Sequence, residues 1–315
     1  MEAIRKRIFE SGMIAPISVK KPEEALKFCH ALVKGGVFSA ELVFMGEERE
    51  QVTLALKAAL PELVLGVHAD NAQAAEKAIA AGADFLLLST MDPRAIQLCK
   101  EQGRPAIPTC ANASELKAGI ALGLDLFLFT GDTLEELGEL AESGEGVEFL
   151  VDCKDVGDLP YWLSCHKVLA CRTDCMLNKE ILQAGDYTQL VQVVAQTVVR
   201  MHGFTFAHMC INPDNQTAEE IGDRLAGLFA FPRSENPGSY FVSDKIEITR
   251  AKGKGKGANG HLGIITVSVG RAMAYLRNMG VEFELSTLQK RGSRETFVFL
   301  KEEIGGFAVH IVQYL

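Results

Sequence analysis

Along the first two-thirds of this 315-residue chain, short apolar runs are followed by polar side chains able to move a proton or hold a charge. They are Glu41, His68 with Asp70, Ser89, Thr109, Thr130 with Asp132, Asp152 with Lys154, and Arg172 with Asp174. Carboxylates beside an imidazole supply general acid and base chemistry, because their surroundings shift them toward working pH. Carboxylates such as Glu41, Asp70 and Asp152 also suit a divalent cation. His68, Asp70, Thr109, Thr130 and Asp152 are candidates for substrate binding.

These residues need a scaffold that brings strand ends together. Apolar runs near Met13–Pro16, Ala40–Phe44, Leu63–Val67, Phe85–Leu88, Ala106–Pro108, Leu126–Phe129, Glu148–Val151 and Val168–Ala170 predict eight strands with helices between them. Lys21-Pro22-Glu23-Glu24 and Asn112-Ala113-Ser114-Glu115 read as helix starts, and Gly35-Gly36, Gly82 and Gly123 as helix ends. The expected fold over residues 1–200 is an α/β parallel (β/α)8 TIM barrel, whose functional groups lie at the carboxyl ends of the strands. A doubly wound open sheet is the alternative, but no Gly-x-Gly-x-x-Gly turn supports it.

Pro16–Ala25, Ala31–Val37, Ala80–Phe85 and Ala184–Tyr187 are together similar, in order and spacing, to the 2-keto-3-deoxy-6-phosphogluconate and 4-hydroxy-2-oxoglutarate (KDPG/KHG) aldolases. The resemblance spans about residues 5–200 and implies a barrel, commonly trimeric, that cleaves a 2-keto-4-hydroxy acid to pyruvate and an aldehyde. It places the family's acid/base glutamate on Glu41, its iminium-forming lysine on Leu128 and its carboxylate-holding arginine on Met45. The threonine-ending turn falls on Gly66-Val67-His68-Ala69, and the phosphate cradle on Asp152-Cys153-Lys154. Only an amine condenses with a ketone to draw electrons from the breaking bond, so leucine forfeits Schiff-base aldol chemistry. Three readings follow: a scaffold or keto-acid-binding barrel, an amine moved to Lys154 and activated by burial, or other chemistry among Glu41, His68, Asp70 and Asp152.

Residues 201–315 read as a second domain of two similar modules, after the short linker Arg200–Gly203. The first runs from Phe206–Ile211 through a helix at Thr217–Phe229 to Lys245–Ile248; the second runs from Asn259–Ile264 through Val269–Met279 to Phe307–Val312. A histidine opens the first strand of each module and a possible metal ligand sits in the last. Together with Gly280–Phe283 and Glu303–Phe307, the pattern resembles the vicinal oxygen chelate superfamily that includes glyoxalases. That resemblance implies an α+β domain of two βαβββ modules with one ligand from the first and last strand of each: His208, Glu247, His261 and His310. Imidazole and carboxylate donors suit Zn, Fe, Mn, Co or Ni, and no cofactor is implied in the barrel. A metal-dependent glyoxalase-like enzyme is therefore the alternative to a barrel lyase.

The net charge of −9 argues against nucleic acid or an anionic membrane as partner. The aldolase resemblance implies a small keto acid and a homo-oligomer, commonly a trimer. No apolar stretch reaches membrane-spanning length and the N-terminus lacks a signal-peptide core, so a soluble cytoplasmic protein is expected. The eight cysteines form no paired framework and are expected to be free; Cys171-x-x-x-Cys175 lacks a second pair for a zinc knuckle. Lys252–Gly257 reads as a flexible connector rather than a phosphate loop, since it lacks the Gly-Lys-Ser/Thr ending. Trp162, the only tryptophan, is expected to pack, as are His30, His166 and His202 where they are not at the surface.

Overall fold

The structure is a computed structural model that describes residues 1–313 apart from Met45, Glu47, Asn178, residues 251–254 and the side chain of Lys179. It divides into two compact units, Met1–Met201 and His202–Leu315.

In the first unit, β1 (Met13–Ile17), β2 (Ser39–Leu42), β3 (Val64–Ala69), β4 (Phe85–Leu88), β5 (Ala106–Cys110), β6 (Leu126–Phe129), β7 (Glu148–Asp152) and β8 (Val168–Arg172) close into a parallel barrel in sequence order. The helices are α1 (Glu2–Ser11), α2 (Pro22–Gly35), α3 (Glu48–Ala59), α4 (Ala72–Ala80), α5 (Pro93–Glu101), α6 (Ala113–Ala121), α7 (Leu134–Glu142), α8 (Leu159–Ser164), α9 (Lys179–Ala184) and α10 (Tyr187–Met201). The expected eight strands form with shifts of one or two residues at their ends.

Local chemistry explains the punctuation. Asn112 caps α6 by accepting from the backbone N–H groups of Ser114 and Glu115. Gly36 follows α2 at φ 97°, a left-handed geometry that disfavours a side chain.

A strand points alternate residues to opposite faces, so the inward set follows from one known member. Ile14, Val64, Phe85, Leu87, Ile107, Leu126, Leu128, Leu150 and Ala170 form the interior, and Ile4, Ile8 and Phe9 of α1 pack against it. Gly66 makes room for Phe85, since a Cβ there would lie 2.3 Å from the ring. Toward the carboxyl ends of most of these strands the next inward positions are polar, as at Glu41, His68, Thr109, Asp152 and Arg172.

The second unit runs β9 (Thr205–Ile211), α11 (Ala218–Phe229), β10 (Arg233–Glu235), β11 (Ser239–Val242) and β12 (Ile246–Thr249), then β13 (Gly260–Ile265), α12 (Val269–Asn278), β14 (Phe283–Arg291), β15 (Arg294–Ile304) and β16 (Phe307–Val312). The strands form one mixed sheet in the order β10-β11-β12-β9-β13-β16-β15-β14. Each half is strand, helix and three strands, with its first and last strands parallel: β9 beside β12 and β13 beside β16. Helix α11 packs Ala218 and Ala226 on Tyr240, Val242 and Ile248, and α12 packs Val269, Ala272 and Met273 on Val298, Val309 and Ile311. Those contacts fix one sheet face as core. Period two then puts His208, Glu247, His261 and His310 on the other.

Among the described residues no helix is long and apolar enough to cross a membrane. All eight cysteines are free, as expected. Trp162 is buried against Phe129 and Tyr161, while His30 and His166 are exposed.

Candidate functional site

The barrel's polar end is built around Glu41, which is fully buried at the end of β2. Arg172 reaches it from β8, with Nη1 3.4 Å from Oε2. The same guanidinium grips Asp152 on β7 as a fork, Nε to Oδ1 at 2.6 Å and Nη2 to Oδ2 at 2.9 Å. Asp152 and Arg172 are register partners on neighbouring strands, so the fork needs little side-chain ordering. Burial by itself would lower the Arg172 guanidinium, but the hydrogen bonds to Asp152 and the charges of Glu41 and Asp152 outweigh it and raise the group.

Opposite them, His68 Nε2 lies 2.7 Å from Ser89 Oγ, and Ser89 donates to Asp70 Oδ1 at 2.6 Å. The other ring nitrogen, Nδ1, is 3.8 Å from Glu41 Oε1. That oxygen is buried and has no hydrogen-bond partner. Arg49, buried in the first turns of α3, donates to the backbone carbonyl of His68 at 2.6 Å and fixes where the ring emerges. Burial lowers the Arg49 guanidinium, against the charges of Asp70 and Glu50.

The remaining predicted residues are placed unevenly. Thr109 is half-buried beside Leu128, its register partner, and Thr130 is exposed, with Oγ1 3.5 Å from the Cys110 carbonyl. Leu128 is 4% exposed and belongs to the apolar interior. Lys154 is exposed beyond the end of β7, so the burial expected to activate its amine is not there. Met45 lies outside the described residues. Ser89 and Arg172 stood in the strand-end set without assigned roles, and Arg49 was missed; its sequence signal is no more than one base among acids at a helix start.

A cavity of about 620 Å³ lies at the other end of the barrel, bordered by α1, Pro105 and Leu124. Arg5 there is held by Asp125 and Glu148 at 2.5 and 2.6 Å. This is the amino-terminal face, which in such barrels serves stability rather than catalysis.

In the second unit the four predicted ligands meet. His208 Nε2 is 3.2 Å from His261 Nε2, 3.3 Å from His310 Nε2 and 3.4 Å from Glu247 Oε2, and His261 Nε2 is 3.6 Å from the same oxygen. Ligands about 2.1 Å from one tetrahedral ion are separated by about 3.4 Å, so these four gaps match coordination edges; the three imidazoles form one group whose ligand atoms lie within 4.8 Å of one another, and Cys210, Glu247 and His261 form another. Gly263 makes the convergence possible. It pairs with His208 on one side and His310 on the other, and a Cβ there would lie 2.8 Å from His208 Cε1 and 2.9 Å from His310 Nε2.

The electrostatics favour neutral His208 and His310 and an ionised Glu247. Burial, then the neighbouring histidines, lower His310 to about 3, and burial also lowers His208. Burial would raise Glu247, but hydrogen bonds from His261 and from the Ser239 hydroxyl outweigh it and lower the group. Cys210, beneath the cluster, is pushed up to about 12 by burial and by Glu247, and so remains a thiol. His310 departs in one respect: its buried Nδ1 has no hydrogen-bond partner, where a ligating histidine ordinarily has one.

The donors line a cavity of about 450 Å³ with Phe297, Phe299, Thr249 and Lys256. Lys256 pairs with Glu284 at 2.5 Å, and Asn212 ties Gly255 and Gly257 by hydrogen bonds at 2.7–3.3 Å. The described end of the expected flexible connector is thus pinned, through an asparagine the sequence reading did not single out. Its Lys252, Gly253 and Lys254 lie outside the described residues.

A closed parallel barrel with its polar residues at the strand carboxyl ends defines a TIM-barrel scaffold. The family model described as KDPG and KHG aldolase matches residues 4–193, and the chain belongs to that family. It is 25% identical over 192 residues to the 2-dehydro-3-deoxy-phosphogluconate aldolase of Treponema pallidum, covering 59% of this chain and 91% of that protein. The KHG/KDPG aldolase of Escherichia coli K12 is 27% identical over 201 residues, covering 61% and 93%. Among solved structures, the KDPG aldolase of Legionella pneumophila, with pyruvate captured as a covalent carbinolamine, superposes with a TM-score of 0.55 at 18% identity, covering 61% of this chain and 97% of that one. That likeness is one of fold.

Proposed function

We propose that the working centre of this chain is a divalent metal ion held by His208, Glu247, His261 and His310 in a vicinal oxygen chelate type of unit. On this reading the barrel keeps a mouth for small 2-oxo acids and has given up its family's iminium chemistry. The observation that carries the proposal is that His208 Nε2 lies 3.2–3.4 Å from donor atoms of His261, His310 and Glu247, the four residues coming from the first and last strands of two like halves. A chance surface cluster has no reason to sample those four strands alone.

When bound, such an ion supplies Lewis acidity to a substrate oxygen. The chain's own residues do the rest. Ser239 holds one oxygen of Glu247 and leaves the other turned toward His208 and His261. Phe297 and Phe299 wall the cavity and limit water, and Lys256 offers one cation at its rim. The volume fits a small organic acid rather than a polymer. The conclusion is a metal-dependent, glyoxalase-like enzyme carried on an aldolase-family barrel.

For the barrel, Leu128 supports the loss of Schiff-base aldol activity: a residue buried in an apolar interior offers no amine, and the exposed Lys154 lacks the desolvation that would make it nucleophilic. Metal analysis of protein purified without a metal-affinity column tests the first half. About one equivalent is expected from four ligands forming one site, with loss in a His208→Ala, His261→Ala variant; metal-free wild type overturns it. Borohydride reduction in pyruvate tests the second half. No mass gain is expected, and an adduct on Lys154 overturns it.

A further inference from the structure

The cavity of about 620 Å³ at the amino-terminal end of the barrel combines an apolar wall with cations that the protein does not fully use. Leu126 and Leu169 on that wall belong to the barrel interior, Phe9 comes from α1, and Ile96 and Leu124 extend the surface outward. Hydrocarbon therefore lines its deeper part.

The charged residues around the cavity are committed to different degrees. Arg5 is held by both Asp125 and Glu148, so that group is closed on itself. Lys6 has Glu10 at 3.8 Å on its own helix, and Glu2 is exposed in the first turn of α1, where the helix dipole favours its charge. Arg104 reaches Asp84 only through Nη1, at a long 3.5 Å, while Asp84 already accepts from Lys57 Nζ at 2.6 Å and from the Leu65 N–H at 2.9 Å. Lys100, in the last turn of α5, has no ion-pair or hydrogen-bond partner among the described residues. Its Nζ stands over the turn after α6, 3.6 Å from where a Cβ on Gly123 would lie. The donors with capacity to spare are thus the Lys100 ammonium and the remaining N–H groups of Arg104.

Cations at the edge of an apolar hollow select a molecule with an anionic head and an apolar body, because the head gains charge-assisted hydrogen bonds while the body covers the hydrocarbon wall. Inorganic phosphate would leave that wall unused, and a neutral hydrocarbon would leave the cations unused. The volume suits a body of roughly ten carbons. We propose that this cavity binds a small apolar carboxylate, with its head on Lys100 and Arg104 and its body against Phe9, Ile96, Leu126 and Leu169. The site is at the end of the barrel opposite Glu41 and Arg172 and shares no residue with the metal cluster. Its ligand is therefore held as an effector rather than a substrate.

The test is calorimetric titration of full-length, EDTA-treated protein with decanoate and with decyltrimethylammonium, which has a like tail and the opposite charge. Decanoate is expected to bind at one equivalent, at least about tenfold tighter than the cation, and to raise the thermal unfolding temperature. A Lys100→Met, Arg104→Met variant should weaken decanoate by about tenfold or more and leave the cation's affinity unchanged. Leu122→Trp, at the partly exposed edge of the cavity, should fill it and abolish decanoate binding, while His208→Ala, His261→Ala should bind as wild type does. Absence of decanoate binding, or equal binding of the cation, overturns the proposal. Binding that survives the Lys100 and Arg104 changes or the Leu122 change, or that is lost with the two histidines, places the molecule elsewhere and overturns it as well.

Discussion

The barrel mouth and the four-donor cluster are both made of strand residues, yet they balance charge in opposite ways. At the mouth, Arg172 is gripped by Asp152 and reaches one oxygen of Glu41, so two carboxylates share one cation within the protein. In the C-terminal sheet, three imidazole nitrogens and a carboxylate oxygen face each other. His261 donates to Glu247, and the lone pairs that still face one another are favourable only when something positive is shared among them. The difference teaches that a site carrying its own counter-charge holds its carboxylates without a guest, whereas imidazoles and a carboxylate with no cation among them are organised to receive one.

The sharpest way to break this contrast is the metal itself. Single substitution of His261 by Ala should lower affinity for added Zn or Co by more than about a hundredfold, read by competition with a chelating dye, because a lost ligand counts for more than a lost supporting contact. An unchanged affinity would reduce the cluster to packed histidines.

Next in size is Arg172→Met. It strands the fully buried Glu41 and should destabilise the barrel by about 3 kcal/mol in urea unfolding, with Glu41→Gln in the same background recovering most of it. A neutral result would show that the mouth does not balance its own charge.

Gly263→Ala sharpens the other side. The added methyl presses on His208 and His310, and a loss of about 10–100-fold in metal affinity with little change in folding is expected from calorimetric titration.

A pH-dependent effect concerns His202, buried beside Phe204 and Tyr275. Burial, and then the charge of Arg271, lower it to about 3 from an ordinary 6.5. The folded value lies below the unfolded one, so the unfolded chain binds the extra proton between them. Its contribution is complete above pH 6.5 and declines toward pH 3 by at most about 1.4 kcal/mol per unit. His202→Phe should flatten that part of the stability profile, measured by denaturant unfolding from pH 7 to 4.

Much of this was legible in the chain. Strand positions followed from apolar runs, helix starts from Asn112 and Pro22, and a helix end from Gly36, since each is a local preference of backbone and side chain. The four cluster residues were legible through the repeat of the two halves. Gly263 and Asn212 were not, because their roles are contacts with residues on other strands and loops. Lys154 was misjudged for the same reason: exposure depends on the whole surface around a side chain, and no neighbour in sequence reports it.

What the sequence determined by itself is which chemistry is available: leucine and not lysine at 128, imidazoles at 208, 261 and 310, a carboxylate at 41. Only the tertiary structure decided which groups meet. Glu41 and Arg172 are 131 residues apart and His208 and His310 are 102 apart. Each pair is joined by strand register and closure, which depend on pairing across the whole sheet.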